Sequence, residues 1–230
     1  MRRWSRRTAG AVLACMLAGL MCLAQARTQQ GKAPDRGPLA DGPVAGVGLG
    51  EWTARWWRWA SAQSVAPYLD RDGRLCEIGQ QGPVWFLAGT DGTFKPHRTC
   101  VMPEGKHLLV PVINMVYWGP RGRDVPCREL QAGAALNNDR LAGAIVVLDG
   151  RTLGRLRLRS DGCFRMDPDN PRSRLGAADG YWLMLKPLPH GRHTLVVSAS
   201  YGESGDKYGG MRQDFEYVLD VGGKVLLSKF

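Results

Sequence analysis

The 230-residue sequence predicts a mainly β protein: an antiparallel β-sandwich, jelly-roll or immunoglobulin-like, with one N-terminal Trp-rich helix and a short second helix. Three observations predict it. Short apolar or alternating runs recur from Pro83 onward, separated by Gly and Pro turns, the signature of an antiparallel sandwich. Helical periodicity is confined to Glu51 to Gln63 and to Glu129 to Leu136. Four cysteines beyond residue 26 suit a disulfide-stapled exported domain.

In chain order, Arg2, Arg3, Arg6 and Arg7 precede an apolar run from Ala9 to Leu23, and Ala24-Gln25-Ala26 supplies the small residues a signal peptidase reads. Residues 1–26 are thus expected to be a cleaved signal peptide, which places the protein in the periplasm or outside the cell. Val12-Leu13-Ala14-Cys15 looks like a lipoprotein box, but it would leave an apolar segment of only about seven residues. Arg6-Arg7 is a weak twin-arginine signal, since Thr8-Ala9-Gly10 replace the apolar residues expected after it. The apolar run is shorter than the ~20 residues of a membrane span, so no anchor is expected after cleavage.

Residues 27–48, rich in Gly, Pro and polar groups, read as a flexible leader, and 49–230 as one sandwich domain. In the first helix Trp52, Trp56, Trp59 and Ala60 form one stripe, with Trp57 beside it and Arg55 and Arg58 off it. Such a stripe ordinarily packs on the core, although a Trp-Arg helix also suits sugar rings or a membrane interface. Strands are predicted at Val84 to Leu87, Leu108 to Met115, Ala144 to Leu148 and Thr152 to Arg159, with Asp149-Gly150 as a two-residue hairpin turn. Along the last of these, Leu156 and Leu158 alternate with Arg155, Arg157 and Arg159, a solvated face or an anion-binding ladder. Further strands are predicted at Cys163 to Met166, Tyr181 to Leu185, His193 to Ala199, Phe215 to Val221 and Val225 to Lys229. Stepping back by twos from Phe230 meets Ser228, Leu226, Lys224 and Gly222, which cannot make the lipid-facing stripe of an outer-membrane barrel.

The net charge is +10, and removing residues 1–26 takes away four arginines and no acid, leaving +6. That excess favours anionic surfaces, but the basic residues are dispersed and no nucleic-acid-binding motif is present, so no nucleic-acid partner is expected. Cys76, Cys100, Cys127 and Cys163 allow three connectivities. Pairing Cys76 with Cys100 and Cys127 with Cys163 is favoured, each closing a moderate loop and contributing roughly 3 kcal/mol. There is no C-x-x-C, and neither a metal site nor a cofactor is expected.

A group of motifs spans residues 52–114: Trp52, Trp56-Trp57 and Trp59; Asp72 and Cys76; Gly79-Gln80; Gly82 to Thr90; Arg98-Thr99-Cys100; Pro103, Gly105-Lys106; Pro111 and Asn114. A second group is Asp179-Gly180-Tyr181-Trp182, Leu185, Pro187-Leu188, Gly191 and His193. In these the chain resembles a family of exported bacterial proteins with no established activity. The resemblance implies the Cys76–Cys100 pairing and transfers no catalytic residue.

Signatures of chemistry are sparse. Gly202-Glu203-Ser204-Gly205 has the wrong spacing for a nucleophile elbow. His190 and His193 sit at a turn, where a capping or edge role outweighs a metal pair. Asp70-x-Asp72-Gly73 fails as a calcium loop because Tyr68 and Gly79 occupy ligand positions, and Asp167, Asp169 and Asn170 read as an exposed acidic loop. The leading expectation is a non-catalytic envelope or secreted binding module for a glycan, an anionic polymer or a protein partner. Trp57, Trp118, Tyr181, Trp182, Arg155 and Arg157 are its candidate ligand residues. The alternatives are a hydrolase using loop carboxylates, with Asp179, Glu77 and Asp72 as candidates, and a structural or assembly protein.

Overall fold

Residues 37–40, 42–202 and 210–224 are described by a computed structural model, so the signal segment and the strand expected at Val225 to Lys229 lie outside the described residues. The first helix, α1 (Leu49–Ala62), buries the predicted stripe: Trp52, Trp56, Trp59 and Ala60 are all nearly inaccessible. Burying an indole strands its N–H unless a carbonyl receives it. Trp52 Nε1 donates to Val44 O, Trp56 Nε1 to Leu87 O and Trp59 Nε1 to Ile78 O, so three tryptophans bolt the helix to three different segments.

Among the described residues ten strands follow: β1 (Val84–Phe86), β2 (His97–Met102), β3 (His107–Trp118), β4 (Leu141–Leu148), β5 (Arg151–Thr152), β6 (Leu156–Arg159), β7 (Phe164–Arg165), β8 (Leu175–Leu185), β9 (Gly191–Tyr201) and β10 (Arg212–Val221). The second helix, α2 (Cys127–Asn138), lies between β3 and β4. One sheet has the order β1-β3-β8-β6, with β7 also on β8; the other runs β2-β10-β9-β4-β5. The mainly β sandwich with few helices is as expected, but its pairing is not wholly antiparallel. β1 runs parallel to β3, and β2 parallel to β10.

The main core fills the space between the sheets, with Leu108, Val110, Leu183 and Leu185 meeting Val146, Leu195, Val197, Phe215 and Leu219. Because strand side chains alternate, the opposite face of β8 offers Trp182 and Met184 to α1, where they join Trp52, Trp56, Phe86 and Leu109 in a second cluster. The order of layers is therefore α1, first sheet, second sheet. α2 closes one end: Asn138 Nδ2 donates to Asp179 O, and Tyr201 donates to Asn138 Oδ1 at 2.7 Å.

Several sequence expectations need correction. The leader does not extend to residue 48, since Ala40 N donates to Met184 O and Ala40 and Val44 are buried beneath α1; the domain begins at Pro38. Thr152 to Arg159 is not one strand. Asp149 and Gly150 have φ of 49° and 77°, as a type I′ hairpin requires, and β5 pairs with β4. After Leu153-Gly154 the chain crosses to the other sheet, where β6 joins β8. β2 was absent from the expected strands because a fully buried arginine, Arg98, occupies an inward position beside Cys100 and Met102 and breaks the apolar alternation. Both favoured disulfides are present, Cys76–Cys100 and Cys127–Cys163.

Candidate functional site

β1 ends at Phe86, so along β3 its pairing reaches only Leu109, followed by a single hydrogen bond from Leu87 N. Next to the uncovered stretch of β3 lies a cavity of about 220 Å³. α1 supplies Trp56 and Trp57, the segment after it Tyr68, and the loop after β1 supplies Gly89, Thr90 and Asp91. β3 contributes Asn114, Met115 and Val116, and Met211 and Gln213 complete the wall from the β10 side.

The polar groups of this wall are under-used. Asn114, Gln213 and Thr90 are 6%, 3% and 4% exposed. Gln213 Oε1 accepts from Thr90 N at 3.3 Å, while its Nε2 and the whole amide of Asn114 have no hydrogen-bond partner among the described residues. Trp57 lines the same cavity, and its indole N–H is the one on α1 that lacks a partner among the described residues. A buried polar group without a partner costs about 1–3 kcal/mol. Among the described residues the indole N–H groups of Trp57, Trp85 and Trp182 are of this kind, and only that of Trp57 is at this cavity, where the open amide positions of Asn114 and Gln213 add sites for a ligand's oxygens or hydroxyls.

A buried framework holds this loop in place. All five N–H groups of Arg98 are satisfied: Nε and Nη2 donate to Asp70 O, Nη1 to Ala88 O and the Tyr217 hydroxyl, and Nη2 also to Gly89 O. Arg98 thereby fixes Ala88 and Gly89, which lead directly into Thr90 and Asp91 of the cavity wall. Tyr217 is held above its ordinary pKa by burial, against the opposing influence of Arg98. The Asp70 carboxylate accepts from the backbone N–H groups of Asp72, Gly73 and Leu75.

The candidate residues from the sequence scatter. Trp57 lines the cavity. Trp182 does not share its surface: it is fully buried against Trp56, with ring centroids 5.5 Å apart. Trp118 packs on Phe164, and Tyr181, on the opposite face of β8 from Trp182, donates to Asn138 O. The arginine ladder is solvated in part: Arg155 and Arg159 are exposed and Arg157 is half-buried. Arg157 and Arg159 stand opposite Tyr181 and Asp179, on the side that faces the second sheet and α2. Arg157 binds Asp179 through two nitrogens and Asp139 through Nη2 at 2.6 Å, so hydrogen bonding to Asp179 raises its pKa. Arg155 lies 5.7 Å from the Tyr181 ring centroid and donates to Ala144 O.

Of the carboxylates named as hydrolase candidates, Asp179 is 1% exposed and shared by Arg157 and Arg159, while Asp72 and Glu77 are exposed in the segment after α1. None of the three lines the cavity, whose single carboxylate is Asp91. Among the described residues no group of three or more His, Cys, Asp or Glu side chains converges as a metal site would. No described helix is long and apolar enough to cross a membrane. The cavity members missed in the sequence, Asn114, Gln213 and Thr90, are polar positions on otherwise inward-facing runs. In Val112-Ile113-Asn114-Met115, the lone amide was the signal available.

Comparison with protein-family profiles and with curated proteins finds no match. The resemblance seen in residues 52–114 and 179–193 therefore stands on those motifs alone. Among solved structures the chain is similar to one described as "Solution Structure of Amebosin", at 12% identity and a TM-score of 0.19 over 54% of this chain and 88% of that one, a likeness too low to carry any argument.

Proposed function

We propose that the protein is an exported, non-catalytic binding module whose cavity beside β3 takes one ring, or one chain end, of an uncharged glycan. The observation that carries this reading is the convergence on one cavity of Trp57, with its unpartnered indole N–H, the amide of Asn114 and the Nε2 of Gln213, neither of which has a hydrogen-bond partner among the described residues. Sugars present apolar ring faces and hydroxyls together, and an aromatic wall with amide donors and acceptors complements both. At about 220 Å³ the cavity falls below the roughly 300–1,000 Å³ of drug-sized sites, which favours a single ring over a long segment. Asp91, the one charged group on the wall, opposes an anionic ligand here. Hydrolysis of a glycoside ordinarily needs two carboxylates flanking the bond, and a wall with one supports binding without turnover.

Export is part of the same reading. It is supported by the basic, apolar and small-residue pattern of residues 1–26 and by two disulfides, which persist in oxidising compartments.

The test is a glycan-array screen of the purified protein followed by calorimetry of the best neutral saccharide. Trp57→Ala and Asn114→Ala are expected each to weaken binding by about tenfold or more, while Asp91→Asn retains it. Absence of binding to any neutral glycan, or binding unchanged in both variants, overturns the reading.

A further inference from the structure

A second cavity, open and about 680 Å³, gathers positive charge that the fold leaves unneutralised. Arg121 and Arg123, in the turn after β3, face it from one rim, and Arg165, Arg172 and Arg174, between β7 and the start of β8, from the other. Asp124 is the one carboxylate on its wall. Elsewhere the described arginines are dispersed and several pair with acids: Arg55 and Arg58 with Glu51, Arg157 and Arg159 with Asp179, Arg212 with Asp214. None of the five arginines here makes an ion pair among the described residues. Assembling like charges in one basin is unfavourable unless an anion occupies it.

The basin is also built to keep its shape. The Cys127–Cys163 disulfide joins the two rims, Cys127 standing three residues after Asp124 and Cys163 two before Arg165. Gly119 N donates to Leu175 O at 2.8 Å, and Arg174 Nε donates to Gly119 O at 3.1 Å. Arg165 Nη1 donates to Ser173 O at 3.0 Å, which braces the second rim from within. Arg121, Arg123 and Arg172 are exposed, and their guanidinium groups make no hydrogen bond among the described residues.

We propose that this basin binds a ligand carrying two or more phosphate groups. Guanidinium forks suit carboxylate and phosphate alike, so charge density decides between them. The wall carries an excess of four positive charges. A carboxylated polysaccharide brings one negative charge with each sugar ring, so matching the excess takes about four rings spread through the whole basin. A phosphate monoester brings about 1.5–2 negative charges in a compact group, so two of them match the excess. The groups can come from a free oligophosphate or from a phosphorylated lipid head group. The inference does not depend on the glycan reading, because the two cavities share no residue.

Titration calorimetry of the purified protein with inorganic tripolyphosphate, with monophosphate and with polygalacturonate tests it, alongside sedimentation with phosphatidylcholine vesicles with and without phosphatidic acid. Saturable binding of tripolyphosphate, tighter than that of monophosphate, is expected. Replacing Arg121, Arg123 and Arg172 together by Ala is expected to weaken it about tenfold or more, Asp124→Asn to strengthen it, and Arg151→Ala, on the distant β5, to leave it unchanged. Binding to tripolyphosphate alone supports a free oligophosphate, and binding to phosphatidic-acid vesicles alone supports a lipid head group. Binding to neither, equal or tighter binding of polygalacturonate, or equal loss in the triple variant and Arg151→Ala overturns the proposal.

Discussion

Arg157 grips both oxygens of Asp179, Nε to Oδ1 at 2.9 Å and Nη2 to Oδ2 at 3.0 Å, on a carboxylate that is almost wholly removed from water. Arg159 Nε reaches Oδ2 of the same carboxylate at 2.9 Å. Asp179→Ala leaves these guanidinium groups without their principal anion. Breaking a fully buried pair costs about 3–5 kcal/mol; with Arg159 61% exposed, about 2 kcal/mol is expected. Urea unfolding measures it, and a change near zero would show that Asp179 is not the anchor of β6.

Gly180 lies against Asn114 across the β3–β8 pair. A Cβ at this position would collide with Asn114 Cβ and stand 2.6 Å from its Cα, so the obstacle is backbone that cannot swing away. Gly180→Ala is expected to destabilise the fold by about 2 kcal/mol or more and to weaken glycan binding through displacement of Asn114. A variant as stable as the parent would mean that β3 and β8 part here at little cost.

His193 gives a pH signature. Burial disfavours its charged form, but hydrogen bonds to Asp149 at 2.7 Å and to Pro189 O at 3.0 Å outweigh that and raise its pKa above 6.5. A raised pKa contributes stability that is complete below the unfolded value and is lost as pH rises through the folded one. The difference in Tm between parent and His193→Gln is therefore expected to be largest below pH 6.5 and to shrink above it. A difference that grows with pH would reverse the assignment.

Removing the Cys127–Cys163 bond in a double serine variant is expected to cost about 3 kcal/mol. It is also expected to weaken tripolyphosphate binding without altering glycan binding, since the bond joins the rims of the arginine basin alone. Equal loss at both cavities would indicate general loosening of the domain.

Much of the fold was legible because period and turn chemistry act locally. The stripe of α1, the Asp149-Gly150 turn and the inward alternation of β9 and β10 follow from residues a few positions apart. What was hidden depends on partners far along the chain. Arg98 reads as a polar surface residue until the carbonyls of Asp70, Ala88 and Gly89 surround it, and Arg155, Arg157 and Arg159 read as a solvated row until β6 is placed beside Asp179. Trp57 was legible as the tryptophan off the stripe. Asn114 and Gln213 were not, since an amide gains significance only when its neighbours fail to satisfy it.

The parallel pairing of β2 with β10 also sets the order in which the protein can be completed. His97 lies opposite Glu216, 119 positions later, so β2 is among the first strands synthesised and among the last to find its neighbour. Contacts of such high order close slowly. Until Arg212 to Val221 emerges, β2 waits with an open edge and with Arg98 short of the Tyr217 hydroxyl, one of its five acceptor contacts. A chain stopped before Arg212 would therefore be a ready target for proteases and holding chaperones, and β10 acts as the latch that registers a finished molecule.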